Sequence, residues 1–313
     1  MEEKNTEMET EEKTVVRTEG RGIVKKTGLA VLVLLESLLL MTVGTVIGSS
    51  LYLLPRIFPS LSSSDAWATG VEYAVSWGIW PVVILASAFI PHDRICFPHI
   101  GRKAEGNTPL FFALGLLLGS AMNAFCAALA LLTGKINLSF DSFSPLPFLL
   151  LIIAVFFQSG AEELICRVFV FRRLEGIYSS PVPAVIINSV FFSFLHIFND
   201  GISVTGIIDN FAFGILMSFI VRYYDSFWCA AALHTAWNFT QNIIFGLPNS
   251  GILMPYSVFR LGESASSVSF FYDPGFGIEG SVLSCLVVSA AAVLVFILGR
   301  RRVRGSVPSE EGR

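Results

Sequence analysis

Charge is what this sequence has least of: 14% of its 313 residues are Asp, Glu, Lys or Arg, against 53% hydrophobic. Soluble domains carry about a quarter charged residues, so with a mean hydropathy of +0.68 a water-soluble enzyme is excluded. The five cysteines (Cys96, Cys126, Cys166, Cys229, Cys285) are scattered with no CxxC pair, which removes zinc ribbons and thioredoxin-type redox sites. No HExxH stands anywhere in the chain, so the usual helical zinc-protease signature is missing. No basic and aromatic pattern points to nucleic acid, and no internal repeat points to an inverted-repeat transporter. The first apolar segment is too long and starts too late to read as the h-region of a cleavable signal peptide.

What is present is a succession of long apolar windows, near 28–54, 66–90, 109–133, 146–171, 182–199, 204–223, 227–246 and 281–299. A helix needs about 20 apolar residues to cross the hydrocarbon, and a membrane barrel would instead alternate over about ten. The expected fold class is therefore all-α, a polytopic membrane helix bundle of about eight transmembrane helices, the fifth window being the shortest. Lys and Arg follow the same division. Arg17, Arg21, Lys25 and Lys26, then Arg94, Arg102 and Lys103, then Arg172, Arg173 and Arg222, then Arg300, Arg301, Arg302 and Arg304 fall on one side, and Arg56, Lys135 and Arg260 on the other. That bias predicts an integral multi-pass protein, in the cell membrane for a prokaryote, with both termini cytoplasmic. Residues 1–26 mix acid and base with little apolar content and are expected to be a disordered tail. The transmembrane domain is expected over 27–300, its motifs over about 148–246, and a cytoplasmic tail over 301–313. The connection 247–280, rich in Ser, Gly and Pro, holds no recognisable catalytic motif.

Into this apolar background the chain sets Glu162-Glu163-Leu164-Ile165-Cys166-Arg167. Ionisable groups in hydrocarbon are costly and usually mark a site or a buried polar network. On a helix, positions four apart lie about 40° apart around the axis and positions five apart about 140°. Glu163 is thus the ion-pair partner of Arg167, and Glu162 faces elsewhere, free to act as a general base. Only four histidines are available to meet it: His92 and His99 lie in a polar connection, whereas His196 and His234 lie in apolar segments. His234 and Asn238, spaced i, i+4, can reach one point from consecutive turns. Glu36, Glu72, Asn123, Asn188, Asp209, Asn210 and Asn242 show that polarity elsewhere is tolerated, with Asp209 and Asn188 the best supporting candidates. Cys166 reads as a small apolar residue rather than a nucleophile.

In order and spacing, Glu162-Glu163-x-x-x-Arg167, Phe192-x-x-x-His196 and His234-x-x-x-Asn238 resemble the CAAX-processing and bacteriocin-processing (CPBP, or Abi) family of intramembrane glutamic endopeptidases. The resemblance covers roughly 148–246. It implies a membrane-embedded peptidase of the CAAX protease type with no cofactor. In it Glu162 and His196 would activate a water, His234 and Asn238 would stabilise the oxyanion, and Glu163 with Arg167 would hold the site together. Many members have Phe before that Arg and Gly after it, where this chain has Cys166 and Val168. Peptide or protein substrates, lipidated ones among them, and membrane lipids are the implied partners. Three rival readings stand beside it: a zinc-dependent protease with Glu162, His196 and His234 as ligands, a transporter or proton relay, and a non-catalytic immunity or scaffold protein.

Overall fold

In the computed structural model the backbone is described for residues 2–89, 96–101, 103–262 and 267–305, and the side chains for these except 2–21, 62, 96 and 303–305. His92, Arg94 and Arg102 lie outside the described residues. The main helices are α1 (Glu2–Gly48), α2 (Asp65–Ala74), α3 (Ile79–Phe89), α4 (Pro109–Leu132), α5 (Pro145–Glu163), α6 (Pro181–Phe194), α7 (Val204–Tyr224), α8 (Phe227–Asn238) and α9 (Val282–Gly305). α2 runs through a 3₁₀ turn into α3, and α5 runs through the π-helical segment Leu164–Phe171 into a short helix, Arg172–Ile177. Of the expected tail at 1–26, residues 22–26 are helical and exposed, and the side chains before Gly22 lie outside the described residues.

Several starts are written locally. Thr108, Ser180, Ser203 and Ser226 accept hydrogen bonds from the backbone N–H of Phe111, Val182, Gly206 and Cys229, satisfying donors that a first turn leaves free. Pro109 and Pro181 follow two of these caps, where the missing N–H costs nothing.

Six helices among the described residues are long and apolar enough to cross a membrane: 22–57, 65–89, 109–132, 145–177, 204–224 and 282–302. Six of the eight expected windows are thus found as such helices, in the polytopic helical bundle expected. The window 182–199 becomes α6, only 14 residues long, about 21 Å at 1.5 Å per residue against a hydrocarbon core of about 30 Å. The window 227–246 becomes α8, with 12 residues of which all but Trp228 are buried, continued by the π segment Phe239–Ile244.

α8 is the centre of the bundle, and α4 packs along it. The approach is close because Gly115 and Gly119 face it. A Cβ on Gly115 would lie 2.4 Å from the Cys229 carbonyl oxygen, and one on Gly119 would lie 2.1 Å from that of Leu233. Small residues four apart are the usual means of bringing membrane helices this near.

One small element departs from an all-helical description. β1 (Leu138–Phe140) pairs antiparallel with β2 (Phe259–Leu261), tying the α4–α5 connection to the long connection 247–280. That connection does not lie over the bundle as a loose cap. Leu247, Tyr272, Phe276 and Ile278 are fully buried, and Gly277 takes φ 99° where a Cβ would lie 2.0 Å from the Pro248 carbonyl oxygen. Only glycine adopts that backbone so close to another chain segment without strain. The turn delivers Ile278–Gly280 against α7, from where the Glu279 side chain reaches Trp237 of α8.

Candidate active site

The polar end of α5 reads Gln158-Ser159-Gly160-Ala161-Glu162-Glu163. Gln158 and Glu162 are one turn apart, and the Gln158 Nε2 amide donates to Glu162 Oε1. Glu162 Oε2 is buried without a partner and lies 3.9 Å from His234 Nε2. Glu163 turns the other way and is fully buried. Its Oε2 accepts from Arg167 Nε at 2.9 Å, and its Oε1 accepts from His234 Nδ1 at 3.0 Å. A carboxylate only accepts, so Nδ1 carries the hydrogen and Nε2 is the atom that faces Glu162.

Glu163 therefore does more than the spacing implied, since it joins Arg167 to His234 across two elements. Arg167 is also fully buried, with its guanidinium 4.8 Å from the centre of the Phe192 ring, a cation–π contact. Asn188, its amide oriented as its neighbours require, accepts from Arg167 Nη1 at 2.8 Å and donates to the Cys166 carbonyl at 2.6 Å. Phe192 serves twice, because its carbonyl accepts from His196 Nδ1 at 2.9 Å. The π segment begins directly after Glu163, and a second one begins directly after Asn238. Such wider turns occur often at functional positions. Cys166 and Val168, where the chain departs from the common motif, are both fully buried core residues of the first π segment.

Glu162, His196, His234 and Asn238 line one cavity of about 250 Å³, together with Glu72, Tyr73, Gln158, Asn199, Asp209, Asn210, Asn249, Ser250 and Glu279. Glu163 and Arg167 stand behind its wall. Asn238 donates from Nδ2 to Gln158 Oε1 and Ser159 Oγ, each at 3.2 Å. Both are at the long end for N–H···O bonds, so either can be exchanged for a better acceptor. His196 sits in the turn after α6 and is half-buried. Of the turn 198–201, Asn199 faces the cavity and donates to the Ser250 carbonyl at 3.0 Å. Phe198 is 83% exposed and Asp200 is exposed, so only part of the turn lies inside the protein.

Asn249 and Glu279 are among the cavity residues that come from the connection that showed no motif. Glu279, 5% exposed, accepts from Trp237 Nε1 at 2.9 Å and Asn249 Nδ2 at 2.8 Å on one oxygen, and from Gln241 Nε2 at 2.5 Å on the other. Burial raises its carboxyl above the ordinary range, and the Trp237 and Gln241 bonds pull the other way. Asn249 also donates to Asn238 Oδ1 at 3.2 Å. The sequence signal for both was faint: a lone acid and a lone amide in a loop, with nothing at helical spacing. Asp209 and Asn210 reach the cavity from α7, whereas Asn188 supports Arg167 from outside it.

Among the described residues, no three His, Cys, Asp or Glu side chains are grouped as a metal ion would need.

Fold and site together define a class: a polytopic helical membrane protein whose bundle encloses a small cavity lined by carboxylate, imidazole and amide groups. Residues 144–240 match the family model described as type II CAAX prenyl endopeptidase, Rce1-like, a similarity over under half of the chain that indicates a peptidase. No curated protein and no solved structure matches the chain closely enough to add a relative.

Proposed function

We propose that this protein is an intramembrane endopeptidase that hydrolyses a peptide bond of a membrane-associated peptide or protein with a water activated by Glu162 and His196. The observation that carries this reading is Glu162 itself. One of its oxygens is buried without a hydrogen-bond partner, on the wall of a cavity that His196, His234 and Asn238 also line.

In this reading Glu162 takes a proton from water as the water oxygen bonds to the carbonyl carbon. The carbonyl oxygen becomes an oxyanion, held by N–H groups of Asn238 and His234, both buried, where such donors are most effective. Glu162 then passes the proton to the amide nitrogen as the C–N bond breaks, leaving a carboxylic acid and an amine. With Nδ1–H given to Glu163, His234 can donate from Nε2 only as the imidazolium. In that state the charges of Glu162, Glu163, Arg167 and His234 sum to zero, which suits a buried cluster. His196, with Nδ1–H given to the Phe192 carbonyl, offers Nε2 as an acceptor for the water.

The metal-free reading is supported by the spacing of the side chains, since among the described residues Glu162, His196 and His234 are not grouped as metal ligands would be. The zinc-dependent reading, with Glu162, His196 and His234 as ligands, makes the opposite prediction under chelation. Cytoplasmic termini are part of the proposal, from the Lys and Arg distribution.

The experiment is comparative peptidomics of membranes from cells carrying the wild-type protein or Glu162→Gln. Peptides ending at a common cleavage position should be present in the first and missing from the second. Identical peptide profiles would overturn the proposal, and substrate flux through reconstituted vesicles would replace it with a transporter.

A further inference from the structure

An unbroken run of hydrogen bonds joins Glu279 to Glu162 across the cavity wall. Glu279 Oε1 accepts from Asn249 Nδ2 at 2.8 Å, and the same Nδ2 donates to Asn238 Oδ1 at 3.2 Å. Asn238 Nδ2 donates to Gln158 Oε1 at 3.2 Å, and Gln158 Nε2 donates to Glu162 Oε1. Every member is an amide except the two ends. An amide can point either way, whereas a carboxylate only accepts. The two ends therefore impose one polarity on the three amides between them, with the N–H₂ group of Asn238 turned toward Gln158 and Glu162 and away from the loop.

The ends are not equivalent during a reaction. Glu162 gains a proton in the proposed mechanism, and a protonated carboxyl can donate as well as accept. At that moment Glu279 is the end that still enforces the direction. Glu279 is suited to this by its setting: it is buried, it is fixed by Trp237 and Gln241 as well as Asn249, and Gln241 is braced in turn by Asn123 Nδ2 at 2.6 Å.

We propose that Asn249 and Glu279, from the connection 247–280 outside the matched segment, are positioning residues that hold the Asn238 amide with its N–H donors facing the reacting group. This rests on the peptidase reading above. Neither residue touches the reacting atoms in that scheme. They act through Asn238.

The test uses full-length protein in lipid nanodiscs and a quenched, prenylated CAAX-type peptide. Asn249→Asp keeps the shape of the side chain but sets an acceptor against both Asn238 Oδ1 and Glu279, so kcat should fall by on the order of 10-fold to 100-fold, as for other residues that orient a functional group. KM should stay within about 3-fold, since the interaction is made in the transition state. In an Asn238→Ala background, Asn249→Asp and Glu279→Ala should each cause no further loss, because residues acting through one group are not additive. A full additional loss in that background, or unchanged kcat in the single variants, would overturn the proposal. Hydrogen–deuterium exchange supplies the readout that needs no substrate. Asn249 and Ile252 exchange backbone hydrogen bonds at 2.9 Å in both directions, and Glu279→Ala should speed exchange at these two amides while α8 stays protected. If wild-type protein leaves the peptide intact, that substrate class fails, and the exchange measurement alone decides: unaltered exchange at 249–252 refutes the positioning role.

Discussion

Two regions border the same cavity and differ in how they reach it. In the segment 144–240, part of the network is written at helical spacing: Gln158 with Glu162, Glu163 with Arg167, and Phe192 with His196 are each four residues apart and in contact, while Glu163 and Asn238 add partners across the bundle. In the connection 247–280, Asn249 and Glu279 meet at 2.8 Å although they are thirty residues apart. A helix prints its contacts into the sequence as a period. A loop does not, because its contacts depend on where it folds back. The lesson is that the periodic face supplies the reacting groups and the non-periodic one the support that aligns them.

The sharpest way to break that division is to remove the base. Glu162→Gln should lower turnover by on the order of 100-fold to 10,000-fold, the usual worth of a positioned acid or base, with expression and thermal midpoint close to wild type. Retained turnover would deny the motif segment its reacting group. Next in size is the oxyanion donor: Asn238→Ala should cost about 100-fold to 1,000-fold in kcat, read with the same peptide. That loss should exceed the effect of Asn249→Ala in the connection, and equal losses would erase the distinction between the two regions.

Arg167→Ala strikes stability rather than chemistry. It leaves Glu163 buried beside His234 with its guanidinium partner gone, at a cost on the order of 3 kcal/mol or more, visible as a lowered thermal midpoint and reduced yield. A variant as stable as wild type would mean the pair is dispensable. Gly119→Val should be milder. Its Cβ would fall 2.1 Å from the Leu233 carbonyl oxygen, and forcing α4 away from α8 should cost about 1–3 kcal/mol, with turnover affected only as far as the His234 helix shifts. The smallest effect expected is none: prolonged dialysis against a strong chelator should leave peptide cleavage unchanged. Activity lost there and restored by zinc alone would reassign Glu162, His196 and His234 as ligands.

The membrane class and the pairing of Glu163 with Arg167 were legible because they depend on short-range pattern, namely apolar run length and an i, i+4 spacing. The number of spans was less so. The window 182–199 is apolar, yet α6 is cut short by the turn carrying His196, and the window 227–246 carries His234, Asn238, Gln241 and Asn242 on a helix almost wholly buried in protein. Hydropathy reports that a segment avoids water and says nothing of whether lipid or protein replaces it. The double duty of Glu163 was hidden for a similar reason, since His234 lies 71 residues further along and only packing makes them neighbours.

By itself, then, the amino-acid sequence determined that this chain lives in a membrane as helices and that a few polar residues stand at spacings able to serve a site. Tertiary structure decided that His234 turns its Nδ1 to Glu163, that a loop without a motif lines the cavity with Asn249 and Glu279, and that, among the described residues, six helices are long and apolar enough to cross a membrane. The physical reason is range: chain geometry sets which residues share a helix face within a turn or two, whereas the partners of a buried polar group are chosen by whichever distant segment must satisfy it once water is gone.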